Sequence, residues 1–112
     1  MDWLLVDEKK ECSGSEVQMG YVSEISQCAK NCRAISSMFS FGTNEFGYKD
    51  QYGERCDERG CDCYCETQAT SDGNCPVKNH DGYNLYKFCK FFNFIQVLAI
   101  VLKYLENYAS FW

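Results

Sequence analysis

Along residues 61–65 cysteine alternates with Asp62 and Tyr64, a period of two that predicts a β-strand. Successive side chains on a strand point to opposite faces, so the three sulfurs line one face and Asp62, Tyr64 and Glu66 the other. A different period governs an earlier stretch. Ile25, Cys28, Ala29, Cys32 and Ile35 recur at the spacing of one helix face, predicting a helix of about three turns. Gln27, Lys30, Asn31 and Arg33 fall on its other sides, Ser23 is placed as the N-cap, and Glu24 falls in the first turn. Shorter apolar runs predict strands over residues 3–6, 17–22 (interrupted at Gly20), 38–42 and 83–88, with Phe39 and Phe41 on one face. Between them, residues 43–60 and 67–82 are rich in Gly, Asn, Asp and Glu and read as long polar loops, with turn chemistry at Asp72-Gly73 and Asp81-Gly82.

The pattern changes again at the C-terminal end. Residues 91–102 are almost wholly apolar, but as a helix they span only about 18 Å against the ~30 Å of a bilayer's hydrocarbon core. Extension toward Trp112 takes in Lys103, Glu106 and Asn107, while Tyr104, Tyr108, Phe111 and Trp112 resemble interfacial aromatics. Three fates compete for this segment: packing on its own domain or a partner chain, contact with a membrane through 91–112, or a remnant without a role. The expected division is therefore a disulfide-rich domain at 1–88 and a hydrophobic helix or tail at 89–112.

The cysteines change the picture most. There are nine in 112 residues, a density that marks a cross-linked scaffold in an oxidising compartment. Neighbours at i, i+2 on a strand and at i, i+4 on a helix hold their Cβ atoms too far apart to bond to each other. Cys28 and Cys32 are therefore expected to bond into the Cys61, Cys63, Cys65 set. Cys12 would take the third strand cysteine, and the loop cysteines Cys56 and Cys75 would pair. Nine is odd, which leaves Cys89 as the unpaired thiol and the natural point for a disulfide-linked dimer. Zinc or copper at residues 61–65 is the competing reading, but zinc sites use Cys-x-x-Cys spacing and the one histidine, His80, lies in a Gly/Asp loop. No metal or other cofactor is expected.

The net charge is −5. The acidic excess lies in residues 1–88, and an acidic body repels phosphate backbones, which argues against nucleic acid as a partner. Glu45, Asp50, Glu54, Asp57, Glu58, Asp62 and Glu66 lack the spacing of a calcium loop and read as a solvated acidic stretch. No nucleophile context surrounds His80, so catalysis is not expected. Residues 1–7 carry a four-residue apolar run between acidic flanks, unlike a signal peptide. Together with the cysteines, this reads as a signal-less fragment of a secreted precursor.

A cysteine near the start, a helix bearing Cys-Ala-Lys-Asn-Cys at 28–32, a strand Met-Phe-Ser-Phe-Gly at 38–42, a cysteine-bearing central strand and a closing Tyr-Asn-Leu-Tyr-Lys at 83–87 follow in order. Over about residues 3–88 this resembles the PAN/Apple domain family, in particular its extracellular invertebrate variants. The resemblance departs at Ser36 and Ser37, where many members carry a cysteine, and in the density of the Cys-x-Cys-x-Cys run. It implies an α+β fold, a small antiparallel sheet with one helix packed across it and pinned by disulfides. It also implies an extracellular, secreted or cell-surface, non-catalytic module for adhesion or for binding a protein or glycan ligand. Phe46, Tyr48, Tyr52 and Tyr64, in or beside the acidic stretch, have a composition suited to a recognition surface and form the candidate one, the competing reading being that some of them pack beneath the long loop. The alternative is a secreted defence or toxin-like effector whose hydrophobic tail acts on membranes.

Overall fold

The computed structural model describes residues 2–45, 47–89 and 94–109. Six strands and two helices follow one another as β1 (Trp3–Cys12), β2 (Val17–Val22), α1 (Ile25–Cys32), β3 (Met38–Gly42), β4 (Cys56–Asp57), β5 (Gly60–Cys65), β6 (Val77–Phe88) and α2 (Phe94–Ala109). The strands form one antiparallel sheet in the order β1-β6-β3-β5-β2, with β4 continuing the lane of β3 alongside β5. This is a small disulfide-rich α+β fold.

Helix α1 is pinned to the sheet by Cys28–Cys63 and Cys32–Cys65, with Cα separations of 5.6 and 5.1 Å. The match is a matter of pitch. Four residues of helix rise about 6 Å and two residues of strand about 6.7 Å, so two bridges form side by side when helix and strand run parallel. Around them Phe39 is the hub, fully buried, stacked on Tyr86 and tilted against Phe88 with centroids 5.3 Å apart in each case. Val22, Ala29 and Phe88 complete this core, with Trp3, Ile25 and Phe41 at its margin.

Several expected boundaries move. The helix ends at Cys32, so Ile35 lies beyond it and is exposed. Glu24, not Ser23, is the N-cap residue, extended at φ −141° and without a side-chain cap; Ser23 stands one residue too early to reach the free amides. Strand β1 runs to Cys12 because β6 is long enough to pair with it, and β6 begins at Val77, inside the expected loop. The Asp81-Gly82 pair bends β6 without ending it. Glu8 pairs with Asn84 and Lys10 with Asn79, so residues 80–83 bulge opposite Lys9 alone, whose φ is +58°.

Two expected bridges are replaced. Cys56 bonds to Cys61 and Cys12 to Cys75. The polar stretch 43–60 ends in a tight hairpin, β4 to β5, that sets Cys56 directly opposite Cys61 with Cα atoms 3.9 Å apart. Gly60 makes that hairpin fit: its φ is +122°, and a Cβ there would stand 2.0 Å from the Val22 carbonyl oxygen. Cys12 then meets Cys75 beneath the 67–76 loop, in a small apolar cluster with Met38, Leu85 and Ala69. Cys89 is unpaired and exposed. With the sulfurs of Cys61, Cys63 and Cys65 all in bridges, none of the three offers a thiolate to a metal.

Strands β1 and β2 are consecutive in sequence but occupy opposite edges of the sheet. Only residues 13–16 join them, a reach of at most about 18 Å from Cys12 to Val17, whereas four flat inter-strand spacings need about 19 Å. The sheet therefore curls. The joining segment is tied across its end, where the Ser13 amide donates to the Pro76 carbonyl at 2.7 Å and the Thr67 hydroxyl to the Ser15 carbonyl at 3.3 Å. The curl encloses the face turned away from α1. Asp62 and Glu66, expected in a solvated acidic stretch, point into it and are 1% and 0% exposed.

Helix α2 carries large apolar side chains outward, with Leu98, Ile100, Val101, Leu102, Tyr104 and Leu105 all exposed. No helix among the described residues is long and apolar enough to cross a membrane.

Candidate recognition site

On the enclosed face the bulge of β6 determines what is displayed. Residues 80–83 leave the β1 ladder, which turns His80 toward the long 43–55 loop while Tyr83 stays paired to β3 opposite Gly42. Gly82 permits this arrangement, since a Cβ there would meet Arg55 Cγ at 2.5 Å and the Tyr48 ring at 2.7 Å. Four rings then touch in sequence. Tyr48 and His80 lie 4.7 Å apart, His80 and Tyr83 meet edge to face at 4.7 Å, and Tyr83 meets Tyr64 edge to face at 5.7 Å. Such geometry suits the ring quadrupoles.

Polar contacts hold Tyr48 at the outer end of the row and Tyr83 deeper within it. The Tyr48 hydroxyl donates to Asp50 Oδ2 at 2.8 Å, and Arg55 Nη2 donates to Asp50 Oδ1 at 2.7 Å and to the Gly53 carbonyl at 3.0 Å. The Arg55 guanidinium also lies 5.7 Å from the Tyr48 ring centroid. The hydrogen bond from Tyr48 holds the Asp50 carboxyl below the usual carboxylate range, and the same bond raises the Tyr48 phenol. Deeper in the row the Tyr83 hydroxyl donates to Asp62 Oδ2 at 2.7 Å, and Gln18 Nε2 donates to Asp62 Oδ1 at 3.3 Å. Burial pushes the Tyr64 and Tyr83 phenols up, so both stay neutral hydroxyls.

Where the row reaches the surface it borders an open pocket of about 320 Å³ lined by Tyr48, Asn79, His80 and Asp81. The Gly82 amide donates to His80 Nδ1 at 3.1 Å, which orients the imidazole edge-on to Tyr83. The pocket thus offers two ring surfaces with an amide and a carboxylate at its rim. This composition binds flat or C–H-rich ligands by stacking and orients them by hydrogen bonds.

Of the residues expected to form a recognition surface, Tyr48 and Tyr64 stand at the two ends of this row. Tyr52 is separate, 77% exposed at the tip of the Asp50–Gly53 turn, and Phe46 lies outside the described residues. His80 and Tyr83 were not expected there. Their signal was the Asp81-Gly82 pair, which as a bulge in a strand displays its neighbours, whereas as a loop it had no partner to display them beside. Compared with known proteins, the chain matches no family model, no curated protein and no solved structure.

Proposed function

We propose that this chain is a secreted, non-catalytic recognition module of the PAN/Apple kind that captures a glycan or protein ligand at the Tyr48–His80 pocket. The observation that carries this reading is the braced row of rings opening into a pocket with Asn79 and Asp81 at its rim. Rings fixed in place lose little freedom on binding, and the amide and carboxylate at the rim give direction to a hydroxyl-bearing or peptide partner. Four disulfides are typical of extracellular proteins. Array screening against glycans and cell-surface proteins, followed by calorimetry with Tyr48→Ala and Asn79→Ala, tests the proposal. A ligand whose affinity falls at least tenfold in both variants supports it. A ligand that binds both variants as tightly as the parent places recognition elsewhere.

A second reading rests on α2. Its exposed Leu98, Val101, Leu102 and Leu105 suit a lipid surface or a second copy joined through Cys89, as in a secreted effector acting on membranes. Vesicle co-sedimentation of the full chain, lost in a Val101→Asp/Leu105→Asp variant, favours this reading over the first. A concentration-dependent, reductant-sensitive dimer without vesicle binding favours the second copy.

A further inference from the structure

Inside the curl of the sheet three glutamates arrive from three separate elements. Glu11 is the penultimate residue of β1, Glu16 ends the segment that crosses between the sheet's edges, and Glu66 follows β5. A carboxylate oxygen from each lies within 4.8 Å of the others. Glu66 is fully enclosed and Glu11 is 4% exposed. Ionised carboxylates this close repel one another strongly in a buried setting. Lys78 Nζ sits 3.2 Å from Glu11 Oε1, with its own side chain 54% exposed.

The hydrogen bonding around Glu66 is incomplete in a telling way. Its Oε1 accepts from the Ser40 hydroxyl at 2.8 Å, but Oε2, equally buried, meets no N–H or hydroxyl donor among the described residues and has only the Glu16 carboxyl for company. Glu16 Oε2 is in the same condition. A buried carboxylate oxygen costs free energy unless a donor, a proton or a cation meets it. Here the two undonated oxygens belong to side chains that converge on the same point as Glu11.

We propose that Glu11, Glu16 and Glu66 form a binding site for a hard divalent cation, calcium in the first instance. All the donors are carboxylate oxygens, which select calcium, magnesium or manganese over zinc or copper. Glutamates on three independent backbone segments give the adjustable geometry and water-completed shell that calcium tolerates better than magnesium. The bound ion ties β1, the 13–16 crossover and the end of β5 together at the one place where the curl is closed by a short segment. It acts as a strut for the fold. An affinity in the range of about 10⁻⁴ to 10⁻³ M, usual for extracellular calcium modules, suffices in a calcium-rich compartment.

The test uses the full oxidised chain, stripped with chelator and then titrated with calcium chloride. The expected result is a saturable rise in Tm of about 5 °C at 10 mM calcium, smaller with magnesium. Terbium chloride is expected to give tyrosine-sensitised emission that calcium displaces. Glu66→Gln and Glu16→Gln each lower calcium affinity at least tenfold; Glu16 is only half-buried, so its variant keeps the test valid if Glu66→Gln folds poorly. No Tm rise and no terbium emission at 10 mM, or equal binding by both variants, overturns the proposal. A proton shared between Glu16 and Glu66 then resolves the cluster by itself.

Discussion

Ser40 donates its hydroxyl to Glu66 Oε1 over 2.8 Å, and both side chains are fully buried at the centre of the enclosed sheet face. The pair shows how far this face departs from an ordinary solvated surface. Burial first, and then contact with Glu16, push the Glu66 carboxyl up to about 9, whereas in the unfolded chain it ionises near 4.5. Between those values the folded chain keeps a proton that the unfolded chain has lost. The stabilisation is fully present below pH 4.5, falls as pH rises through the window, and is gone above about 9, at no more than about 1.4 kcal/mol per pH unit for this one group. Denaturant midpoints measured in chelator from pH 5 to pH 9 should decline for the parent. They should decline less for Glu66→Gln, whose amide still accepts from Ser40 and donates toward Glu16. Parallel pH profiles for the two proteins would show that Glu66 ionises normally in the fold.

Tyr83 and Asp62 make the other buried polar contact on this face. Removing the phenolic hydroxyl leaves Asp62, 1% exposed, with Gln18 as its remaining donor among the hydrogen bonds described. Tyr83→Phe is expected to cost about 1–3 kcal/mol, read from equilibrium denaturation with disulfides intact. Tyr64→Phe, which removes no such bond to Asp62, should cost less. The reverse order would mean that the 2.7 Å contact contributes little.

The four bridges close loops of very different length, from 63 residues of separation for Cys12–Cys75 to 5 for Cys56–Cys61. Chain-entropy reasoning gives about 4 kcal/mol for the long loop and about 2 for the short one. Paired serine replacements at 12 and 75 should therefore lower stability more than those at 56 and 61. Mass spectrometry of the unreduced parent should find it eight hydrogens lighter than the reduced chain, with Cys89 the one residue that alkylates.

Two glycines with positive φ separate backbone strain from crowding. At Gly53 nothing lies within 4 Å of an added Cβ, while at Gly60 the Val22 carbonyl would be 2.0 Å away. Gly53→Ala should cost about 1–2 kcal/mol, the penalty of a left-handed L-residue. Gly60→Ala should cost clearly more and slow formation of the Cys56–Cys61 bridge during oxidative refolding. Equal costs would show that the hairpin moves away from β2 without penalty.

How much was legible beforehand follows from the range of each interaction. The helix and the cysteine strand could be read from the residues alone, because their periods of 3.6 and 2 are local. The pitch of each element likewise forbade Cys28 and Cys32 to bond to each other and pointed them toward that strand, and the bridges to Cys63 and Cys65 followed in the fold. The rest took shape only as the chain folded. Cys56 met Cys61 because a tight turn folded the strand back on itself, a short-range outcome hidden in a stretch that looked like loose loop. Asp62 and Glu66 became buried because the 13–16 segment is too short to span a flat sheet, so the face that alternation left for water was enclosed instead. His80 and Tyr83 joined the aromatic row because β1 paired on either side of them and forced residues 80–83 outward. Alternation along a strand says which residues share a face; which face is covered depends on segments far away in the chain.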